Sequence, residues 1–153
     1  MEIEYIPFRD EYFEYLNDMI MSLYSEDPCS NDMDRGKIEK TVAFLEKNPS
    51  RGRIILFLAS GLIIGYSIVV YFWSNEYGGN VLLLDELFIK KEYRGKGIGT
   101  GFLKYLITTE SAECRAIFLE VIPTNVRAIE FYHRVGFKDH KNRFQRLLLK
   151  NRS

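Results

Sequence analysis

The chain is poor in the residues that build crosslinks and metal centres. Its 153 residues include two cysteines, Cys29 and Cys114, and two histidines, His133 and His140. There is no CxxC spacing and no cysteine with a histidine nearby, so two free thiols and no metal site are expected. Net charge is also missing, because 21 Lys and Arg residues balance 21 Asp and Glu. That disfavours a surface built to coat a nucleic acid or a membrane and leaves only local patches of charge to act. A long apolar run is absent too. Residues 54–74 carry no charge, but Ser60, Gly61 and Gly65 interrupt a β-branched and aromatic composition, which reads as two strands and a turn. Met1, Glu2, Ile3 and Glu4 offer no basic region before an apolar stretch, so no signal peptide is expected and the cytoplasm is the expected location.

What is present is an ordinary globular composition, 46% hydrophobic and 27% charged, long enough to bury one core. Alternation predicts a first strand over residues 2–7, and helical spacing of Tyr12, Leu16, Met19, Ile20 and Leu23 predicts a helix over 9–24. Pro28 discourages its continuation. A second helix is expected over 34–47, closed by Asn48 and Pro49. Strands follow at 54–59, 62–73 and 81–89, then a helix to about 109, a short strand at 116–122 and a helix after Asn125, its expected N-cap. Residues 137–140 and 144–149 read as a final strand pair. The order β-α-α-β-β-β-α-β-α-β-β, with no linker or repeat, describes a single α/β domain over residues 1–153. Its 81–122 crossover should join parallel strands.

Residues 82–101 carry the densest signal. An apolar strand holds two adjacent acids, Asp85 and Glu86, and then turns through Lys90, Lys91, Arg94, Gly95, Lys96, Gly97, Ile98, Gly99 and Thr100. Alternate glycines let backbone N–H groups converge, a helix start adds its positive end, and the lysines and arginine add cations. That assembly suits a pyrophosphate. No G-x-x-x-x-G-K-[ST] loop occurs. A G-x-G-x-x-G fingerprint also fails, since its third glycine would fall on Thr100 or Phe102.

Arg94-x-x-Gly97-x-Gly99 does resemble the acetyl-CoA signature of the GNAT superfamily of N-acetyltransferases. Asn125, Ala128, Phe131, Tyr132, Gly136 and Phe137 resemble that family's N-x-x-A-x-x-F-Y-x-x-x-G-F segment. The resemblance implies a GNAT fold, with a mixed, strongly twisted sheet of six to seven strands flanked by about four helices. It also implies direct attack of an amine on the thioester of acetyl-CoA as co-substrate, with no acyl-enzyme and no metal. By residue-to-residue match, Arg94 to Thr100 hold the pyrophosphate, and backbone N–H groups of Leu87, Phe88 and Ile89 face the thioester. Asn125 and Ala128 contact the pantetheine and adenosine sides. Tyr132 protonates the leaving thiolate.

A primary amine must also lose a proton, at about 4–5 kcal/mol from a pKa near 10.4. Glu86 or Asp85 could accept it. Neighbours on a strand point to opposite faces, so one of the two is expected to serve, Glu86 being preferred. The acceptor is expected in a cleft between the loop after the first helix, with Glu26 and Asp27, and the turn before the motif strand, with Trp73 and Glu76. Acids and aromatics there suit a small cationic amine such as a polyamine or an aminoglycoside. A protein lysine or N-terminus, or a non-catalytic acyl-CoA-binding role, stays open, as does the homodimer common in the family. No nucleic-acid or membrane partner is expected.

Overall fold

The computed structural model describes residues 1–27 and 32–149. Cys29 and Pro28 lie outside them; Cys114 is a free thiol. The chain falls into two compact units, Met1–Ile122 and Pro123–Ser153.

The first unit opens with β1 (Ile3–Pro7), a single 3-10 turn (Asp10–Tyr12), α1 (Phe13–Glu26) and α2 (Arg35–Lys47). Asp34 caps α2 by accepting the Lys37 N–H at 2.8 Å. Then come β2 (Gly52–Ala59), β3 (Leu62–Ser74) and β4 (Gly79–Ile89), a second 3-10 turn (Lys91–Tyr93), α3 (Ile98–Glu110) and β5 (Cys114–Leu119). The β2–β3 hairpin turns at Ser60 and Gly61, whose φ angles of 50° and 77° are those of a primed turn matched to strand twist.

The five strands run in sequence order across one sheet. The first three pairings are antiparallel and β4–β5 is parallel, as the α3 crossover requires. Alternation along the strands divides the core in two. On one face Ile54, Leu56, Tyr66, Ile68 and Phe88 pack with Leu16, Met19 and Ile20 of α1 and Ile38, Val42 and Leu45 of α2. On the other, Tyr5 and Phe57 meet Phe102 of α3 with ring centroids 5.5 and 4.6 Å away. Glu110, only 7% exposed at the end of α3, accepts hydrogen bonds from Arg53 at 2.6 Å and Tyr71 at 2.9 Å, so its buried charge is paired.

The second unit holds α4 (Val126–Val135). Asn125 caps it by accepting the Ala128 N–H at 3.2 Å. At its other end Phe137 N–H reaches Tyr132 O and Gly136 N–H reaches His133 O, which closes the helix in a Schellman motif with Gly136 at φ 122°.

One expectation fails here. The described residues form five strands, not six or seven, and residues 137–149 contain none. The reason is visible in their pattern. Lys138 to Arg143 are six consecutive polar residues, and Leu147, Leu148 and Leu149 do not alternate, so neither stretch presents one apolar face to a sheet. Leu147 and Leu149 are instead 85% and 87% exposed.

Gly65 shows how tightly β3 lies on the end of β4. A Cβ there would stand 2.5 Å from Phe88 O and 2.9 Å from a ring carbon of Phe57. Gly65→Ala is expected to cost about 1–3 kcal/mol through forced displacement, read as a lower urea midpoint at unchanged slope. An unaltered midpoint would mean the strands can part at no cost.

Candidate functional site

The site begins with an irregularity in β4. Upstream, Leu84 pairs with Val69; downstream, Glu86 pairs with Ile68, so Asp85 is an extra residue with no partner on β3. This is a β-bulge, and it reverses the phase of the strand. Paired residues share a face, so Glu86 and Phe88 turn toward α1 and α2 with Ile68 and Tyr66, while Leu84 faces the other way with Val69.

Glu86 therefore points its carboxylate into the α1 face. Tyr24, near the end of α1, donates to Glu86 Oε2 at 2.8 Å, and Tyr66 of β3 donates to Oε1 at 2.8 Å. Ser67 donates to the Glu86 carbonyl at 2.8 Å. Burial pushes the Glu86 carboxyl above the ordinary carboxylate range; the two tyrosine hydrogen bonds pull it back and the charge of Asp85 adds to the rise. Burial and the Glu86 charge raise both hydroxyls, so Tyr24 and Tyr66 stay protonated donors. Asp85 is raised as well, first by desolvation and then by Glu120. Protein is dense around it, yet the residue keeps exposed surface, and that surface decides whether its proton reaches water.

Beyond the bulge, pairing with β5 stops at Leu84 and Leu119. Lys90 N–H bonds Ile64 O on β3, and Phe88, two residues earlier and paired with Tyr66, faces the same way. By alternation the Leu87 and Ile89 N–H groups turn to the side that β5 no longer occupies. Of the three expected backbone donors, Leu87 and Ile89 turn away from β3 and Phe88 turns toward it.

The glycine loop follows. Gly95 and Gly97 have φ of 75° and 79°, the left-handed region, and a Cβ on either would meet nothing within 4 Å. Gly97 is the N-cap of α3, and no side chain caps that helix. The first intrahelical bond is Gly101 N–H to Gly97 O, so the Ile98, Gly99 and Thr100 N–H groups of the first turn have no intrahelical acceptor. This cradle fits a pyrophosphate. Lys96 lies 5.6 Å from the ring of Tyr93.

The Arg94 side chain is engaged by protein groups. Its Nε donates to Ile89 O at 2.6 Å, its Nη2 reaches both carboxylate oxygens of Glu26 at 3.1 Å, and its guanidinium lies 5.2 Å over the Phe88 ring. Glu26 is thus fixed to Arg94 past the end of β4, and Asp27 acts on the Tyr24 hydroxyl. Phe88, Lys90, Lys91 and Glu92 line a cleft of about 440 Å³ with Asp18, Ser22 and Glu26 of α1.

Trp73 and Glu76 are not brought there. Trp73 pairs with Asn80, six residues before Glu86 on β4, or about 20 Å at the strand rise. It stands 69% exposed at the far end of the sheet, where Phe72 and Tyr77 pack on Phe118.

Tyr132 lies in the second unit, half-buried, its ring 5.0 Å from Phe131 and 5.7 Å from Phe137. Burial raises its pKa. Asn125 and Ala128 form the cap of α4 described above.

Sequence reasoning did not connect Tyr24 or Tyr66 with Glu86. Their separations from Glu86 are 62 and 20 residues; the register of β3 on β4 joins Tyr66 to it, and the packing of α1 on the sheet joins Tyr24.

Comparison with known proteins agrees with this architecture. The profile of the acetyltransferase (GNAT) family matches residues 16–137, and the chain belongs to that family. An uncharacterised N-acetyltransferase of Methanocaldococcus jannaschii is 41% identical over 83 residues, 53% of this chain and 49% of that protein. A spermine/spermidine N(1)-acetyltransferase of Bacillus subtilis is 33% identical over 82 residues, 51% of this chain and 54% of its own length. The chain spans about half the length of the curated relatives it matches. The crystal structure of a possible acetyltransferase from Clostridium difficile 630 superposes with a TM-score of 0.83 at 20% identity, covering 98% of this chain and 100% of that one, which is a likeness of fold.

The raised Glu86 pKa has a signed consequence. The folded chain holds this proton more tightly than the unfolded one, so the contribution favours folding at low pH and is lost as pH rises through the raised value. Wild type is expected to lose stability relative to Glu86→Gln as pH climbs above about 4.3, followed by urea midpoints across the pH range. A difference that does not change with pH would contradict the assigned burial.

Proposed function

We propose that this protein is an acetyl-CoA-dependent N-acetyltransferase that moves the acetyl group directly to a primary amine of a small cationic acceptor such as a polyamine or an aminoglycoside. The observation that carries the reading is the Glu86 carboxylate. It is desolvated, held by two hydroxyls and set by a bulge just before a strand end that opens into an uncapped helix N-terminus.

In this reading the free N–H groups of the glycine loop and α3 hold the pyrophosphate, assisted by Lys96. Leu87 and Ile89 N–H groups, on the side vacated by β5, donate to the thioester oxygen as it becomes an oxyanion, an effect worth about 3 kcal/mol per donor. The amine nitrogen forms the new bond to the acetyl carbon and the carbon–sulfur bond breaks. The ammonium proton passes to Glu86, directly or through water, and a carboxyl raised toward neutrality is a better acceptor than an ordinary one. The thiolate takes a proton from Tyr132, whose raised pKa keeps it protonated at neutral pH. Asp85, Glu26 and Asp27 supply negative charge for a cationic acceptor. The spermine/spermidine relative in Bacillus subtilis supports that acceptor class.

Acetyl-CoA with a panel of polyamines, aminoglycosides and lysine peptides, monitored by release of free CoA thiol, tests the reading. Turnover is expected with a small polyamine or aminoglycoside and is expected to fall at least a hundredfold in Glu86→Gln. Turnover confined to peptides would assign protein acetylation instead, and an undiminished Glu86→Gln with a disabled Asp85→Asn would transfer the base to Asp85.

Tyr132→Phe separates catalysis from binding. Its kcat is expected to drop about 10²-fold or more, as for loss of an acid catalyst, while acetyl-CoA affinity by calorimetry holds. Full turnover would return Tyr132 to a packing role.

A further inference from the structure

The C-terminal end of α1 breaks a local rule. A helix C-terminus carries partial negative charge and favours Lys, Arg or His in its last turn. Here that turn has no basic residue and instead ends on Glu26. The missing positive charge comes from outside the helix, from Arg94 in the glycine loop, which meets both Glu26 oxygens at 3.1 Å. Arg94 is in turn fixed to the end of β4 by its 2.6 Å bond to Ile89 O and its position over Phe88. Two residues before Glu26, Tyr24 is bonded to Glu86 at 2.8 Å. The end of α1 is therefore fastened to β4 at two points, once at Glu86 and once just past Ile89.

The two hydroxyls on Glu86 differ in freedom. Tyr66 has no exposed surface and sits mid-strand in the sheet, so its hydroxyl goes where β3 goes. Tyr24 is half-buried at a helix end, and its place depends on what anchors that end.

We propose that Tyr24 is a positioning residue for Glu86, and that the Arg94–Glu26 ion pair sets Tyr24 in place, joining the glycine loop to the carboxylate through the last turn of α1. The inference rests on the functional reading above for its purpose, since it makes acetyl-CoA loop and amine base parts of one assembly. Its geometry stands without that reading. The groups that face the Glu86 carboxyl are Tyr24 from α1, Tyr66 from β3 and Asp85 on its own strand. Asp27 and Asp85 act on Tyr24 beside Glu86 itself. Any change in the Glu86 titration must be referred to these groups.

The sign of one substitution distinguishes a mechanical link from simple proximity of charge. Glu26→Gln removes a negative charge, and acting through space that would ease ionisation of Glu86 and lower its titration midpoint. Acting through Tyr24, the same substitution loosens a hydrogen bond to the ionised form and raises the midpoint. The experiment follows the Glu86 side-chain carboxyl by ¹³C NMR in the full chain without substrates, its resonance assigned by loss in Glu86→Gln. Tyr24→Phe is expected to move the midpoint upward, Glu26→Gln to move it upward by less, and the double variant to match Tyr24→Phe alone.

An unmoved midpoint in Tyr24→Phe overturns the positioning role. A downward or additive shift from Glu26→Gln overturns the link through α1. Either result is independent of turnover, so absence of acetyl transfer to every amine would remove the functional reading while leaving these shifts to be read. Where a polyamine is turned over, the same two variants are expected to move the acidic limb of kcat/KM to higher pH with little change in KM for acetyl-CoA.

Discussion

The bulge at Asp85 is the constraint on which the site depends. Without an extra residue there, β4 would keep one phase along its length, and Glu86 would lie on the α3 face with Leu84. With it, the upstream leucines serve one half of the core and Glu86 with Phe88 serve the other. The sheet thus delivers a carboxylate to a buried face while its ladder continues. Desolvation of an unpaired acid would cost several kcal/mol, and the hydroxyls of Tyr24 and Tyr66, one on each oxygen, offset that cost. Neither donor is a cation, so the pKa stays raised. An arginine in place of either tyrosine would fix the charge and depress it.

The parting of β4 from β5 is the second consequence of the same stretch. Parallel pairing ends at Leu84 and Leu119, one residue before the bulge. The strand then turns the Leu87 and Ile89 N–H groups to the side facing away from β3, in sequence directly before the glycine loop. The acid pair, the N–H groups turned away from β3 and the glycine loop are therefore consecutive on one run of chain, from Asp85 to Thr100, and the geometry of each follows from where the previous one ends.

Much of this was legible in the residues because it is local. Helical spacing located α1, α2, α3 and α4, and the Asn125 cap was read correctly, since a cap is decided within a few residues. The Ser60–Gly61 hairpin and the glycine loop are equally local. What sequence could not supply were facts about pairing. Phase reversal in β4 depends on β3, and the tyrosines on Glu86 come from 62 and 20 residues away. Trp73 and Glu76 were placed near the acids because they precede the motif strand in sequence. That strand has eleven residues, so its two ends are about 35 Å apart. The final strand pair failed for a different reason: residues 137–149 hold a six-residue polar run and three consecutive leucines, without the alternation that would give a strand one face.

Arg94 shows why a matching motif residue still needs its surroundings. Its guanidinium offers a planar fork suited to phosphate or carboxylate, and in this chain Glu26 takes that fork. Any anion at the glycine loop would then meet mainly backbone N–H groups, which cannot reorient or be drawn away by neighbouring acids. An acid at a helix C-terminus is locally unfavourable, and an arginine turned away from an anion cradle is unexpected. Each resolves the other. When two local rules fail at positions 68 residues apart and the two residues prove to be bonded, the compensation is between them, and the elements they join are held as one. Here those elements are the helix that carries the Tyr24 donor to Glu86 and the glycine loop that leads into α3.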